Sequence, residues 1–264
     1  MSDTGRIVAV TGASSGIGLA AARLFRDRGD KVYCLSRTDP KEPGITFIHT
    51  DVTDEASVNA AFGAIGKAEG RIDVLLSNAG IGVSGAAECT TIQDAKRQLD
   101  VNFFGLHACV RAAVPLMRAH GGTILATSSV AAVFAIPFQA FYSASKFAVN
   151  ALVLALANEL KPFNIRVAAI MPGDVKTGFT GARVKAARDD NYGQSVEKSV
   201  AVMERDEQNG MGPEMIAKRF VALSLKKHPK VLSTVGLQYK FFCFLGKVLP
   251  IRLQNFIVGK MYIK

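Results

Sequence analysis

Tyr142 and Lys146 stand four positions apart in "FYSASKF", with only Ser and Ala between them. On a helix, residues i and i+4 sit one above the other on the same face. A phenol that titrates near ~10 makes no useful ion pair with an ammonium at neutral pH. The pairing gains a purpose if the cation acidifies the phenol, because a proton donor works best with a pKa near the operating pH. Moving a phenol from ~10 towards ~7 takes roughly 4 kcal/mol of preference for phenolate, which cations near a partly desolvated site can supply. Ser129 lies 13 positions before Tyr142, after an apolar run. At a strand end its hydroxyl can stabilise developing oxyanion charge.

A second constellation is "TGASSGIG" at 11–18, between the apolar run "IVAV" and a helical pattern. Gly12, Gly16 and Gly18 permit a tight turn and let a pyrophosphate approach the backbone, while the helix start supplies N–H groups and the positive end of its dipole. The spacing is G-x-x-x-G-x-G rather than the commoner G-x-G-x-x-G. About 20 residues further on, an acid would hold the ribose 2′-hydroxyl of NAD, whereas an Arg accommodates the 2′-phosphate of NADP. That position is Ser36, followed by Arg37, with Asp39 two residues beyond. NADP is the favoured cofactor.

These residues need a scaffold. "IVAV" (7–10), "KVYCL" (31–35), "ITFI" (45–48), "DVLL" (73–76), "GTILAT" (122–127) and "IRVAAI" (165–170) are short apolar runs. Helical patterns separate them at about 17–28, 54–69 (with Thr53 as N-cap), 91–119 and 139–161. Continuously apolar strands alternating with helices indicate a parallel sheet covered on both faces. The fold expected is a doubly wound, Rossmann-like α/β domain. Such sheets bind ligands beyond the carboxyl ends of their strands. Thr11-Gly12, Ser36-Arg37, Asp51, Ser77-Asn78-Ala79-Gly80, Ser128-Ser129 and Pro172-Gly173 all fall there. Six such stretches on one rim describe a site.

The 264 residues, 49% hydrophobic and 20% charged, suffice for one large core. No apolar run nears the ~20 residues of a membrane-spanning helix; "ALVLALA" at 151–157 is too short. No signal peptide is read at the start. Cys34, Cys89, Cys109 and Cys243 form no CxxC pair, which suggests reduced thiols and a cytoplasmic location, and no metal site is expected. Net charge is +10, and Met215–Lys264 carries ten Lys and Arg but no Asp or Glu. Nucleic-acid binding has only this charge in its favour, with no recognisable module.

Taken together, "TGASSGIG", "SNAG" (77–80), Asn102 in "LDVNFFG", Ser129 with "FYSASK" (141–146), and "PGDVKT" (172–177) closely resemble the short-chain dehydrogenase/reductase family over about residues 5–178. Ser77 departs from a frequent Asn, while Asn78 is kept. The resemblance implies an oxidoreductase in which Tyr142 is general acid and base. Lys146 would hold the nicotinamide ribose and lower the Tyr142 pKa, Ser129 would bind the substrate oxygen, and Asn102 would hold a water in a proton relay. It assigns the cofactor to Gly12, Ser14, Ser15, Gly16, Ile17, Gly18, Arg37, Asp51, Val52, Asn78, Ala79, Gly80, Tyr142, Lys146, Pro172, Gly173, Val175 and Thr177. A non-catalytic dinucleotide sensor of the same fold is the rival reading, but a sensor has no need of the acid.

Between Ser129 and Tyr142, "VAAVFAIPFQAF" with Ile81, Val83 and Phe179 could line an apolar pocket, and no Arg stands beside Tyr142 to clamp a carboxylate. An apolar ketone or secondary alcohol follows. The resemblance to hydroxysteroid dehydrogenases puts a steroid first, with retinoid-like carbonyls and 3-oxoacyl thioesters as alternatives. Segment 178–212 reads as polar and irregular, and the resemblance implies that it closes over substrate. The helix after Tyr142 is apolar on nearly all sides, so one face covers the sheet and the other meets a subunit; the resemblance implies a homodimer or homotetramer. Residues 1–237 make the catalytic unit, and 238–264 an amphipathic appendage of the same domain. Its first helix carries Phe241, Phe242, Phe244, Leu245, Val248 and Leu249; a second, from Pro250, carries Leu253, Phe256, Ile257 and Met261. Burying four such side chains is worth roughly 6–12 kcal/mol before entropy costs. The tail is expected to complete the substrate site without touching cofactor affinity; contact with an anionic membrane surface is the alternative.

Overall fold

The computed structural model describes residues 5–263. Strand and helix alternate from the start: β1 (Ile7–Thr11), α1 (Gly16–Asp27), β2 (Lys31–Ser36), β3 (Ile45–His49), α2 (Glu55–Glu69) and β4 (Val74–Ser77). A two-residue β5 (Val83–Ser84) leads to α3 (Ile92–Leu99), a π-helical turn over Asp100–Phe104, and α4 (Gly105–Met117). Next come β6 (Gly122–Thr127), α5 (Ala140–Glu159) and β7 (Ile165–Met171). The last third holds β8 (Val184–Lys185), α6 (Ser195–Gln208), α7 (Pro213–Ser224), β9 (Leu232–Thr234), α8 (Leu237–Val248) and α9 (Ile251–Tyr262).

Seven strands pair in parallel in the order β3-β2-β1-β4-β6-β7-β9, and β5 pairs with β8 apart from them. The central strands β1 and β4 are buried throughout, which is why they read as unbroken apolar runs. On one face, Ala21, Ala22 and Phe25 of α1 pack with Ile216, Ala217 and Phe220 of α7. On the other, Phe62 and Ile65 of α2, Cys109 and Met117 of α4, and Val149 and Val153 of α5 share a second core. The chain winds from β1 out to β3 and then returns to place β4 on the other side of β1. This reversal opens a crevice at the carboxyl ends of β1 and β4.

Several sequence expectations are corrected. Asp54, not Thr53, caps α2, accepting a hydrogen bond from the Ala56 amide at 2.9 Å; the Thr53 hydroxyl donates instead to Asp51 at 2.7 Å. The stretch 91–119 is two helices joined by the π-turn. Segment 178–212 is irregular only in its first half; from Ser195 to Gln208 it forms α6, which buries Val200 and Met203. The sequence reading also missed α7, β9 and the small β5–β8 pair. On the helix after Tyr142, Phe147 and Leu154 are 45% and 47% exposed, so one of its faces is left uncovered by this chain. All 20 residues of α5 together have the length and composition of a membrane-spanning helix, which residues 151–157 alone do not show. Here its Val149, Val153 and Leu156 pack into the core.

Candidate active site

A cavity of about 1050 Å³ runs along the carboxyl rim of the sheet, from Arg37 at one end to α8 and α9 at the other. Its first half is built from backbone. Gly12 and Gly16 have φ of 62° and 55°, the left-handed region that favours glycine. A Cβ on Gly12 would lie 2.8 Å from the Ala79 Cα, and one on Gly18 would lie 2.3 Å from the Gly12 oxygen. Gly18 itself is absent from the wall; it lets α1 approach the turn. The first helical amides of α1 follow Ser15, whose side chain makes no capping bond.

Hydrogen bonds tie the strand ends into one rim. Thr11 Oγ1 accepts from the amides of Asn78 and Ala79 at 3.0 and 3.1 Å. Asn78 Nδ2 donates to the Gly12 oxygen at 3.2 Å, and Thr127 Oγ1 donates to Asn78 Oδ1 at 2.9 Å. Ser14, Ser15, Ile17, Asp51, Val52, Ala79, Gly80, Pro172, Gly173, Val175 and Thr177 line the same wall. At the far end Arg37 lines the cavity, while Asp39 does not: its carboxylate accepts from the Lys41 amide at 2.8 Å. Bare glycine backbone at the start of α1 fits a dinucleotide pyrophosphate.

At the middle of the cavity stand Ser129, Tyr142 and Lys146. The i, i+4 spacing on α5 sets the last two on one face, and the Lys146 ammonium lies 5.7 Å from the Tyr142 ring centroid. Lys146 Nζ donates to the Thr127 oxygen at 2.8 Å. Ser129 Oγ accepts from the Ala131 amide at 3.1 Å, which fixes the hydroxyl at the end of β6. Burial pushes the Tyr142 phenol up to about 12, and hydrogen bonding to Ser129 offsets this only in part. Burial likewise pushes the Lys146 ammonium down to about 8. In the protein alone desolvation dominates the phenol, so the acidification expected at Tyr142 is reversed.

Asn102 is buried and does not line the cavity. Its side chain accepts from the Ile81 amide at 2.9 Å and donates to the Ile81 oxygen and to Ser145 Oγ at 3.1 and 3.0 Å. Ser145 in turn donates to the Tyr142 carbonyl at 2.7 Å. Asn102 thus clamps the segment after β4 to the helix that bears Tyr142, and the π-turn sets it there.

The second half of the cavity is built from side chains. Ile81, Val130, Phe134, Ile136, Phe179 and Met203 meet Phe242, Leu245, Leu249, Ile257 and Met261 from the C-terminal helices. Val83, expected there, is buried in β5 and stands outside the wall. The absence of an Arg near Tyr142 is also corrected. Arg183 is buried beneath this half, paired with Glu207 and 5.9 Å from the Phe179 ring centroid; the Glu207 carboxylate raises the Tyr142 phenol and the Arg183 charge partly offsets it. Thr180 Oγ1 donates to the other Glu207 oxygen at 2.5 Å. Arg97 reaches the wall from α3.

The tail touches both halves. Tyr239 of α8 donates to Asp174 Oδ2 at 2.7 Å and accepts from the Asp174 amide at 3.0 Å. A Cβ on Gly173 would lie 2.0 Å from its ring. The loop 172–177 of the dinucleotide half is therefore held by α8, so the tail does not serve the substrate half alone.

The model of the short chain dehydrogenase family matches residues 6–188. A 3-ketodihydrosphingosine reductase of Bacteroides thetaiotaomicron is 38% identical over 236 residues, 88% of each chain. The 17-beta-hydroxysteroid dehydrogenase type 1 of Mus musculus is 38% identical over 191 residues, 66% of this chain and 55% of the relative. Among solved structures, a short-chain dehydrogenase from Streptomyces avermitilis superposes with a TM-score of 0.86 at 27% identity, covering 98% of both chains. With motifs, sheet order and cavity in agreement, the chain belongs to the short-chain dehydrogenase family and is an oxidoreductase that works with a nicotinamide dinucleotide.

Proposed function

We propose that the protein is an NADP(H)-dependent reductase of apolar ketones, interconverting ketone and secondary alcohol. The observation that carries this reading is the meeting of Ser129, Tyr142 and Lys146 where the backbone-built half of the cavity joins its apolar half. When bound, the dinucleotide supplies a hydride at its nicotinamide. Ser129 and Tyr142 then hold the carbonyl oxygen by hydrogen bonds, and Tyr142 delivers its proton there as negative charge develops. A phenol near 12 is fully protonated at neutral pH, so the acid is loaded for reduction. Lys146 would hold ribose hydroxyls of the bound dinucleotide beside Tyr142, and its ammonium would favour the phenolate left behind. Asn102 acts as a positioning residue through Ile81 and Ser145.

Arg37 on the wall, Ser36 at the end of β2 and the engagement of Asp39 with Lys41 all support NADP over NAD. The apolar lining supports a bulky hydrophobic ketone. A steroid remains one candidate class; a long-chain keto lipid takes precedence, because the reductase of 3-ketodihydrosphingosine matches more of the chain than the steroid enzyme does. Ala144, Phe147, Ala151 and Leu154 form an exposed apolar face on α5 that supports a homodimer or homotetramer. Four free thiols support a reducing, cytoplasmic location. The test is NADPH consumption, followed at its absorbance band, over a panel of long-chain, steroid and small ketones. Turnover of none of them, or equal KM for NADH and NADPH, would overturn the corresponding part of the reading.

A further inference from the structure

The site uses only the inner side of the two C-terminal helices. On the outer side of α8, Leu237, Phe241, Phe244 and Val248 recur at i, i+4, i+7 and i+11, a stripe about 60° wide on a helix of 3.6 residues per turn. They are 83%, 58%, 58% and 55% exposed. Single exposed apolar residues are ordinary, but a continuous stripe with two phenylalanines marks an interaction surface. Lys240 and Lys247 border it along one edge. Past Pro250, α9 continues with exposed Ile251, Leu253 and Phe256 interleaved with Arg252 and Lys260. The Lys260 ammonium lies 5.8 Å from the Phe256 ring centroid. From Met215 onward the sequence supplies no carboxylate side chain to balance these cations.

We propose that the outer face of α8 and α9 docks in the interface of an anionic lipid bilayer. A phenylalanine-rich stripe bordered by Lys and Arg is the composition of a helix lying in that plane. The occupant follows from charge. A two-fold contact with a second copy would set this cationic surface against itself, whereas anionic headgroups neutralise it while the acyl region takes the stripe. Because the inner sides of the same helices line the cavity, docking would bring the apolar half of the site against the membrane. That consequence, and only that, rests on the proposed ketone reductase reading.

The full chain should cosediment with phosphatidylcholine vesicles containing phosphatidylserine, and at least about tenfold more weakly in high salt or with phosphatidylcholine alone. The double variant Phe241→Ser/Phe244→Ser lies outside the cavity, so it should lose vesicle binding while keeping NADPH-dependent turnover of a water-soluble ketone. Lys240→Glu/Lys247→Glu should remove the preference for phosphatidylserine. Failure of the folded wild type to bind these vesicles overturns the proposal. So does a dimer, seen by sedimentation equilibrium without vesicle binding, that the phenylalanine variant dissociates; the face would then belong to a second copy. Vesicle binding is read without substrate, so a failed ketone assay leaves it standing.

Discussion

The two halves of the cavity are made of different material. The dinucleotide half is lined by strand ends, glycines and main-chain groups of residues 12–177, fixed in place by the sheet's own hydrogen bonds. The substrate half is lined by side chains from residues 130–136, α6, α8 and α9, which belong to no common sheet. A backbone surface changes only if the fold changes. A side-chain surface can be rebuilt one residue at a time, so cofactor chemistry can stay constant while the substrate varies.

Tyr142 belongs to both halves and gives the strongest test. Tyr142→Phe keeps the ring and removes the proton donor, so kcat should fall about 100- to 10,000-fold. NADPH affinity, read by fluorescence titration, should hold. Near wild-type kcat would remove Tyr142 from the chemistry.

Glu207→Leu probes the substrate half. It leaves the Arg183 guanidinium, only 1% exposed, buried without its partner. The loss in stability should be about 3–5 kcal/mol by denaturant midpoint. The KM for bulky ketones should rise while that for NADPH stays. An equal rise in both would break the comparison, because the halves would then be mechanically one.

Lys146 lies at the junction and yields a pH signature. Burial lowers its folded pKa from 10.5 to about 8, so the folded state resists the proton that the unfolded chain accepts. The full penalty acts below about pH 8 and disappears as pH climbs to 10.5. Stability of the wild type relative to Lys146→Met should therefore rise across that window by roughly 3 kcal/mol. Tyr142, raised from 10.0 to about 12, reverses the trend above pH 10 in both proteins, because the unfolded phenol ionises first. A flat difference would show that the amine is not desolvated.

Arg37→Ala has the smallest effect and bears on the dinucleotide half alone. Loss of a charge-assisted contact should weaken NADPH by roughly 1.5–3 kcal/mol and leave NADH nearly unchanged. Adding Ser36→Asp should then swing preference to NADH. Isothermal titration with both cofactors decides it.

The same contrast governs what was legible in the sequence. The six rim stretches could be found because strands and glycine turns impose spacing, and spacing survives in a linear chain. The apolar tail was legible as two helices, since their period and Pro250 are local. What escaped were meetings between distant residues: Arg183 with Glu207, and Tyr239 with Asp174 and Gly173. No period links position 174 to 239. Leu232–Thr234 is too short for alternation to register and becomes a strand only because β7 offers it an edge. The reversed shift of Tyr142 escaped because burial is a property of the packed protein rather than of an i, i+4 pair.

The π-turn at Asp100–Phe104 sets the phase between two helices. It lets α3 and α4 follow one another with a residue more than an uninterrupted α-helix would hold in that arc. Removing one residue there would leave a continuous helix as the easiest solution. Every side chain on one side of the cut would then rotate by about 100° relative to the other. Val110 and Met117 anchor α4 in the core, whereas α3 buries only Ala95 and Gln98, so α3 would yield. Gln98 now accepts from the Val83 amide at 2.7 Å and donates to the Ile81 oxygen at 2.5 Å, so the strand leaving the site would lose its hold. A single-codon deletion in this turn, which also carries Asn102, would thus detune the active site without removing any reacting group, and a compensating insertion within the same five residues would retune it.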